Sequence, residues 1–202
     1  MKRLLIATGN TGKFRELSGA LAGVGVVIVS LKDFPGIEPV EETGTTFEEN
    51  AILKAETYGK LTSLPTIADD SGLEIDALAG EPGVKSRRWV HADRDSTDEE
   101  LIAYTLKRLQ GVPADKRTAR LRAVVAFWDG THTTTATAAI EGTILDQATD
   151  TIDPGYPFRS LLFLPRFQKL YRDLTPQEHE LINHRIAALR TLLPAIKKQL
   201  GG

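Results

Sequence analysis

Two adjacent aspartates, Asp69 and Asp70, carry the strongest chemical signal in the sequence. They follow a short apolar run and precede Ser71 and Gly72. Carboxylates crowded at a strand end cost electrostatic energy unless a cation or a proton neutralises them. Oxygen donors of this kind suit a hard divalent cation, so the pair predicts an Mg²⁺ site. The alternative is a solvated turn, because Asp, Ser and Gly are common turn residues.

A second segment, residues 8–13, reads Thr-Gly-Asn-Thr-Gly-Lys and follows a short apolar strand. The apolar spacing beyond it predicts an amphipathic helix, which places Lys13 at the junction of loop and helix. Backbone N–H groups at a helix start, together with one ammonium, make an anion site suited to phosphate. The spacing is not that of a Walker loop. An ordinary strand-to-helix turn is the alternative.

The third segment begins with an acidic loop that contains Glu41 and Glu42 and leads to a predicted helix. Thr46 followed by Glu49 is a capping-box pattern, and good helix formers continue to residue 61. A helix beginning near Phe47 is therefore predicted.

Asn50 and Lys54 are four residues apart in this helix and therefore share one face. That face would present an amide and an ammonium to phosphate, beside the carboxylates of Glu41 and Glu42. A solvated helix face behind an acidic loop is the alternative interpretation.

In order and spacing, these segments resemble the inosine triphosphate pyrophosphatase family, whose members clear non-canonical purine nucleoside triphosphates such as ITP, dITP and XTP. The family patterns are Thr-Gly-Asn-x-x-Lys-x-x-Glu, Thr-Phe-x-Glu-Asn-Ala-x-x-Lys-Ala, Ala-Asp-Asp-Ser-Gly-Leu, Asp-Ala-Leu-x-Gly-x-Pro-Gly-Val and Ser-x-Arg. The matching positions are residues 8–10, 13, 16, 46, 47, 49–51, 54, 55, 68–73, 76–84, 86 and 88. Agreement over about half of the chain is far more specific than any single motif.

The resemblance implies an α/β fold with a long central mixed β-sheet flanked by helices, in two lobes with the active-site cleft between them. One domain of this type would span residues 1–202, since no linker, repeat or low-complexity tract interrupts the chain. Local patterns agree with alternating helices and strands. They predict a capped helix over 96–109 and a strand over 117–127. Asp129-Gly130 predicts a hairpin turn into a Thr-rich strand over 132–140.

The reaction implied by the resemblance is hydrolysis between the α and β phosphates, which gives a nucleoside monophosphate and pyrophosphate. Asp70 is expected to be the general base, and Mg²⁺ is expected at Glu42 and Asp70, with Asp69 as a further ligand or in support. The sequence does not decide between Glu41 and Glu42. The expected phosphate-binding residues are Thr8, Gly9, Asn10, Lys13, Asn50, Lys54 and Ser71.

The closing family motif, Glu-Glu-Lys-x-x-x-Ser-His-Arg, is only partly retained. His184 and Arg185 are present, whereas His179 and Asn183 replace the Lys and the Ser. Residues 175–178 form a capping box with proline at the first helical position, so this segment is expected to be helical. Arg185 could then donate to the 6-oxo group that distinguishes hypoxanthine from adenine.

The segment that contacts the nucleobase in the family also differs. Anchored on Phe-Leu-Pro at 163–165, it departs from the family pattern at Arg159 and Ser160. Two alternatives to the leading interpretation therefore stay open: specificity retuned to another modified nucleotide, and nucleotide binding without catalysis. The expected base-binding residues are Phe158, His179, His184 and Arg185.

Composition is consistent with this assignment and excludes several other classes of protein. The 202-residue sequence has 41% hydrophobic residues, no cysteine and a formal net charge of -2. Disulfides and thiolate zinc sites are excluded, and a general nucleic-acid or membrane surface is not expected. A cytoplasmic location is expected because no signal-peptide pattern or spanning apolar run is present. The resemblance implies a homodimer.

Overall fold

Seven strands and five α-helices occur in residues 2–149 and 151–200, the part of the chain that the computed structural model describes. The strands are β1 (Arg3–Ile6), β2 (Val27–Ser30), β3 (Thr66–Ile75), β4 (Thr118–Trp128), β5 (Thr133–Ile144), β6 (Leu162–Leu164) and β7 (Lys169–Leu170). The helices are α1 (Thr11–Ala20), α2 (Phe47–Thr62), α3 (Asp98–Arg108), α4 (Pro176–Ile182) and α5 (His184–Leu200). None of these helices is long and apolar enough to cross a membrane.

All seven strands belong to one sheet with the order β2-β1-β3-β4-β5-β6-β7. Strand β1 runs parallel to β2 and β3, whereas β6 runs antiparallel to β5 and β7. The expected α/β fold with a mixed sheet and accompanying helices is therefore confirmed.

The chain divides into two compact units. The first contains the residues up to Ser71, residues 123–138 and the residues from His184 onward, and the second contains residues 72–122 and 139–183. Each unit has its own apolar core. The expected single domain with two lobes and a cleft between them stays a prediction.

The core of the first unit lies between strands and the two helices α1 and α5. Alternate residues of β1 and β4 point into it, as the two-residue period of a strand requires. Its buried members include Leu4, Ile6, Leu17, Leu21, Ile67, Val125, Phe127, Ala188, Leu189, Leu192 and Ile196. This packing fixes the beginnings of α1 and α5, where Lys13 and Arg185 lie.

The core of the second unit packs α3 against strand residues and the short turns near β6. Its buried members include Leu73, Ile75, Leu101, Ile102, Leu109, Leu121, Ile144, Phe158, Leu161, Leu162 and Tyr171. Phe158 is part of this core, so its ring is packed among apolar side chains.

Helix starts agree with the sequence signals. The reciprocal bonds of a capping box are present between Thr46 and Glu49, between Thr97 and Glu100, and at the start of α4. The predicted hairpin is also present, with Asp129 N–H donating to the His132 carbonyl at 3.0 Å. Strand β5 extends four residues beyond the predicted end, to Ile144.

Candidate active site

Asp69 and Asp70 lie in the middle of β3, not at a strand end as expected. The strand continues through Ser71 and Gly72 to Ile75, and it lies between β1 and β4 in the sheet. Both carboxylates are buried, at 2% and 6% exposure. Because successive side chains of a strand point to opposite faces, the two carboxylates meet different partners.

Asp69 faces cations from α1 and α5. Its Oδ2 lies 3.0 Å from Lys13 Nζ and accepts a hydrogen bond from Arg185 Nε at 2.9 Å. The same guanidinium donates through Nη2 to Ser71 Oγ at 3.0 Å and through Nη1 to Glu16. Arg185 is therefore held by β3 and α1 residues at the start of α5.

These cations keep Asp69 ionised. Burial alone raises the pKa of its carboxyl, but Lys13 and Arg185 outweigh burial and hold the pKa well below its usual value. Burial lowers the pKa of the Lys13 ammonium more strongly than the neighbouring Asp69 raises it. Asp69 and Lys13 thus form a buried ion pair in which the pKa of each group is lowered.

Asp70 faces helix α2. Lys54 Nζ lies 3.2 Å from Asp70 Oδ1 and donates to Glu42 Oε1 at 2.9 Å. Asn50 Nδ2 donates to Asp70 Oδ2 at 3.3 Å. The helical spacing of Asn50 and Lys54 thus brings both side chains to the same carboxylate, and Glu42 of the acidic loop contacts Lys54.

Burial raises the pKa of Asp70, although Lys54 and Lys13 oppose the shift. Burial lowers the pKa of Lys54, but Asp70 and Glu42 outweigh it and raise that pKa. The pKa values of Asp69 and Asp70 therefore shift in opposite directions. Neighbouring carboxylates whose environments separate their pKa values are suited to different chemical roles.

The loop before α1 is held by hydrogen bonds to its own polar side chains. Asn10 Oδ1 caps the helix by accepting hydrogen bonds from the N–H groups of Gly12 at 2.9 Å and Lys13 at 3.1 Å. Thr8 Oγ1 accepts from the Asn10 N–H at 3.2 Å. The N–H groups of Gly12 and Lys13 are therefore bonded within the protein, and binding of an anion at this helix start stays a prediction. Gly9 leaves the backbone open, since a Cβ there would have no neighbour within 4 Å.

The four expected base-binding residues divide between the two units. In the second unit, Phe158 is 7% exposed, and His179 Nε2 lies 3.2 Å from the Tyr171 hydroxyl. In the first unit, His184 and Arg185 are 5% and 2% exposed in the first turn of α5. The guanidinium of Arg185 contacts protein groups, and a role of any of the four in binding a base stays a prediction.

Three contacts were not predicted from the sequence. Glu16 belongs to the quoted family pattern, but its ion pair with Arg185 links residues far apart in the chain. Gly44 N–H donates to Asn50 Oδ1 at 2.7 Å, although nothing in the sequence singles out this glycine. In the second unit, Asp98 accepts from the Gly155 N–H at 2.7 Å.

The donor set is chemically suited to Mg²⁺, although it forms no closed metal cage. No group of three or more His, Asp or Glu side chains within residues 2–149 and 151–200 is arranged to hold a metal ion. However, Mg²⁺ commonly binds through one or two carboxylates together with substrate phosphates and water. Asp69 Oδ1 is buried without a hydrogen-bond partner in the described structure, and Glu42 and Asp70 share Lys54.

Comparisons with known proteins agree with the motif pattern. The sequence matches the Ham1 family over residues 4–195. It is 41% identical over 203 residues to a dITP/XTP pyrophosphatase of Geobacillus kaustophilus, with 100% of this chain and 98% of that protein covered. It is 40% identical over 202 residues to a dITP/XTP pyrophosphatase of Shigella flexneri, with 98% and 99% covered.

A solved HAM1 protein from Coxiella burnetii has the same fold, with a TM-score of 0.85 and 31% identity over 98% of this chain and 100% of that chain. Full-length similarity in sequence and in fold confirms the resemblance drawn from the motifs. The chain belongs to the Ham1 family.

Proposed function

We propose that this protein hydrolyses non-canonical purine nucleoside triphosphates, namely dITP, XTP and ITP, to the monophosphate and pyrophosphate, and so clears them from the nucleotide pool. The observation that carries the proposal is the pair of adjacent buried aspartates in β3, of which Asp69 lies 3.0 Å from Lys13 and Asp70 lies 3.2 Å from Lys54. The names of the relatives at about 40% identity support the choice of substrate.

In this proposal Asp70 is the general base. A raised pKa brings a carboxylate nearer to the operating pH, which favours proton transfer in the transition state. Asp70 accepts a proton from water, the water oxygen attacks the α-phosphorus, and the bond to the bridging oxygen of the β-phosphate breaks. Pyrophosphate leaves with that oxygen, so no covalent enzyme intermediate is needed.

Lys13 and Lys54 would bind phosphate oxygens as point charges and stabilise the charge that develops on them. Ser71 and the open backbone at Gly9 would also contact phosphate oxygens in this proposal. Thr8 and Asn10 would contribute by keeping the loop and the first turn of α1 in position. Positioning and electrostatics would supply most of the rate enhancement.

Mg²⁺ is the proposed cofactor, with Glu42 and Asp70 as its ligands. Asp69 would be either a further ligand or a neighbouring residue that supports the ligands. The chemistry supplied by the bound ion is neutralisation of phosphate charge and a lower pKa of nearby water. The oxygen donors and the unpartnered Asp69 Oδ1 support this choice. A homodimer and a cytoplasmic location belong to the same proposal.

For the nucleobase we propose Phe158, His179, His184 and Arg185, as the resemblance implies. One observation favours a second candidate function, hydrolysis of another modified nucleotide. The guanidinium of Arg159 lies over the ring of Tyr156, 3.6 Å from its centroid, and 4.9 Å from that of Tyr171. This stacked cation occupies the segment that departs from the family pattern.

The test is pyrophosphate release, with and without Mg²⁺, from ITP, XTP, dITP, the four canonical triphosphates and a panel of modified nucleotides. We expect Mg²⁺-dependent release from XTP, dITP and ITP that is much faster than from ATP or GTP. Release confined to another modified nucleotide would favour the second candidate. Binding without turnover of any nucleotide would contradict both.

A further inference from the structure

We propose that Asn50 is a positioning residue that holds Asp70 and the acidic loop (residues 41–45) in their working arrangement, and is not a ligand of the substrate phosphates. The inference rests on the proposed function, because only there is Asp70 the general base. It assigns a different role to a side chain that the sequence places among the phosphate ligands.

Both ends of the Asn50 amide are used inside the protein. The residue lies in the second turn of α2 and is 2% exposed. Its Oδ1 accepts a hydrogen bond from the Gly44 N–H at 2.7 Å, and its Nδ2 donates to Asp70 Oδ2 at 3.3 Å. The amide therefore bridges the acidic loop and strand β3.

The chemistry of the partners fixes the orientation of this amide. A backbone N–H can only donate, so the atom that faces Gly44 must be the amide oxygen. The NH₂ group consequently faces Asp70, whose carboxylate can only accept while it is ionised. Lys54, one helical turn further along, holds the other oxygen of Asp70 at 3.2 Å. One face of α2 thus orients both carboxylate oxygens.

Gly44 is the residue that permits this bridge. A Cβ at this position would lie 2.6 Å from Asn50 Oδ1 and 2.7 Å from Glu49 Cβ, which is closer than real Cβ contacts. The next residue is also tied to the helix, since Glu49 Oε2 accepts from the Thr45 N–H at 2.6 Å. The acidic loop that carries Glu42 is therefore attached to α2 through Asn50 and Glu49.

The substitution Asn50→Asp distinguishes a role in positioning Asp70 from a role in binding phosphate. An aspartate has nearly the same shape and still offers Gly44 an acceptor, but it directs a carboxylate instead of a donor at Asp70. We expect kcat for XTP to fall by about 10- to 100-fold, the size of effect that follows a small misplacement of a reacting group. KM should change less than kcat, because the added charge repels the triphosphate but no ground-state contact with phosphate is lost.

The variant Gly44→Ala tests the same bridge from its other end and serves if Asn50→Asp does not fold. Its Cβ displaces the amide, so kcat should again fall while KM changes little. The matched control is Gly19→Ala, because a Cβ at Gly19 would have no neighbour within 4 Å. This control should retain the kcat and KM of the wild type.

If Asn50 were a ligand of the substrate phosphates, its substitution would change KM rather than kcat. If Asn50→Asp raised KM strongly and left kcat unchanged, or if both bridge variants kept wild-type kinetics, the positioning role would be overturned. A wild-type protein that released no pyrophosphate from any nucleotide would instead contradict the proposed function, so the two failures can be told apart.

Discussion

At the scale of single residues, Asp69 and Asp70 are adjacent in sequence but have opposite environments. Lys13 and Arg185 on one face of β3 keep the pKa of Asp69 low, whereas burial on the other face raises the pKa of Asp70. One carboxylate is thereby kept charged, and the other is able to take up a proton. The two-residue period of the strand is the cause of this difference.

Replacing Asp70 with Asn should lower kcat for XTP by at least about 100-fold, because a general base typically contributes that much or more. The fold should persist, since Asn is nearly isosteric and Lys54 keeps its contact with Glu42. Steady-state pyrophosphate release together with a thermal melt measures both effects. Wild-type turnover in the folded variant would refute the role of Asp70.

The residue types of this site could be predicted from the sequence, but part of its geometry could not. The motif residues Lys13, Lys54 and Asp70 stand out by type and spacing. Local sequence predicts a strand end at the aspartate pair. Strand β3 instead continues past Asp70 because it pairs with neighbouring strands in the sheet, and this pairing is not visible in the local sequence. The capping role of Asn10 was missed because its side chain is equally suited to phosphate and to a helix start.

At the scale of elements, helix α2 carries most of the side chains that face Asp70, and its packing fixes where they lie. Gly59 is inside this helix although glycine is a poor helix former. A Cβ there would come within 2.1 Å of the Trp128 ring of β4. Close approach of helix and strand, and not backbone conformation, therefore requires the glycine.

We expect Gly59→Ala to lower the free energy of unfolding by about 1–3 kcal/mol, the usual cost of overpacking a core. Gly19→Ala is the matched comparison in α1, where space is open and alanine should be neutral or stabilising by up to about 1 kcal/mol. Urea unfolding of both variants measures the difference. Equal stabilities would mean that Trp128 does not constrain α2.

The start of α3 offers a test by pH. Hydrogen bonds from Arg94, from the Thr97 backbone and from His91 lower the pKa of Glu100 below its usual 4.5. A carboxyl with a lowered folded-state pKa stabilises the fold above its unfolded-state pKa, and this contribution is lost as the pH falls through the folded-state value. The loss should therefore begin below about pH 4.5.

The variant Glu100→Gln should melt at a lower temperature than the wild type at pH 7. The difference between the two melting temperatures should narrow as the pH falls below about 4.5. Melting curves of both proteins from pH 7 to pH 3 measure the gap. A gap that stays constant with pH would show that the charge of Glu100 contributes nothing.

At the scale of the whole molecule, the fold class could be predicted because the order and spacing of the motifs match a known family over about half of the chain. Local signals also predict the helix start at Phe47, a capped helix over 96–109 whose observed start is Asp98, and the Asp129-Gly130 turn. The pairing of Glu16 with Arg185 was not predictable, because it depends on packing between distant segments. The bond from Gly44 to Asn50 is local, but it depends on the path of the loop before α2, which no sequence pattern defines. Recognition of the nucleobase by Phe158, His179, His184 and Arg185 stays a prediction.

The most direct test of the proposed function is the identity of the products formed from XTP with Mg²⁺, measured by separating the nucleotides and quantifying pyrophosphate and phosphate. Cleavage between the α and β phosphates predicts XMP and pyrophosphate in equal amounts. Formation of XDP and inorganic phosphate, or no product with the folded wild-type protein, would contradict the account.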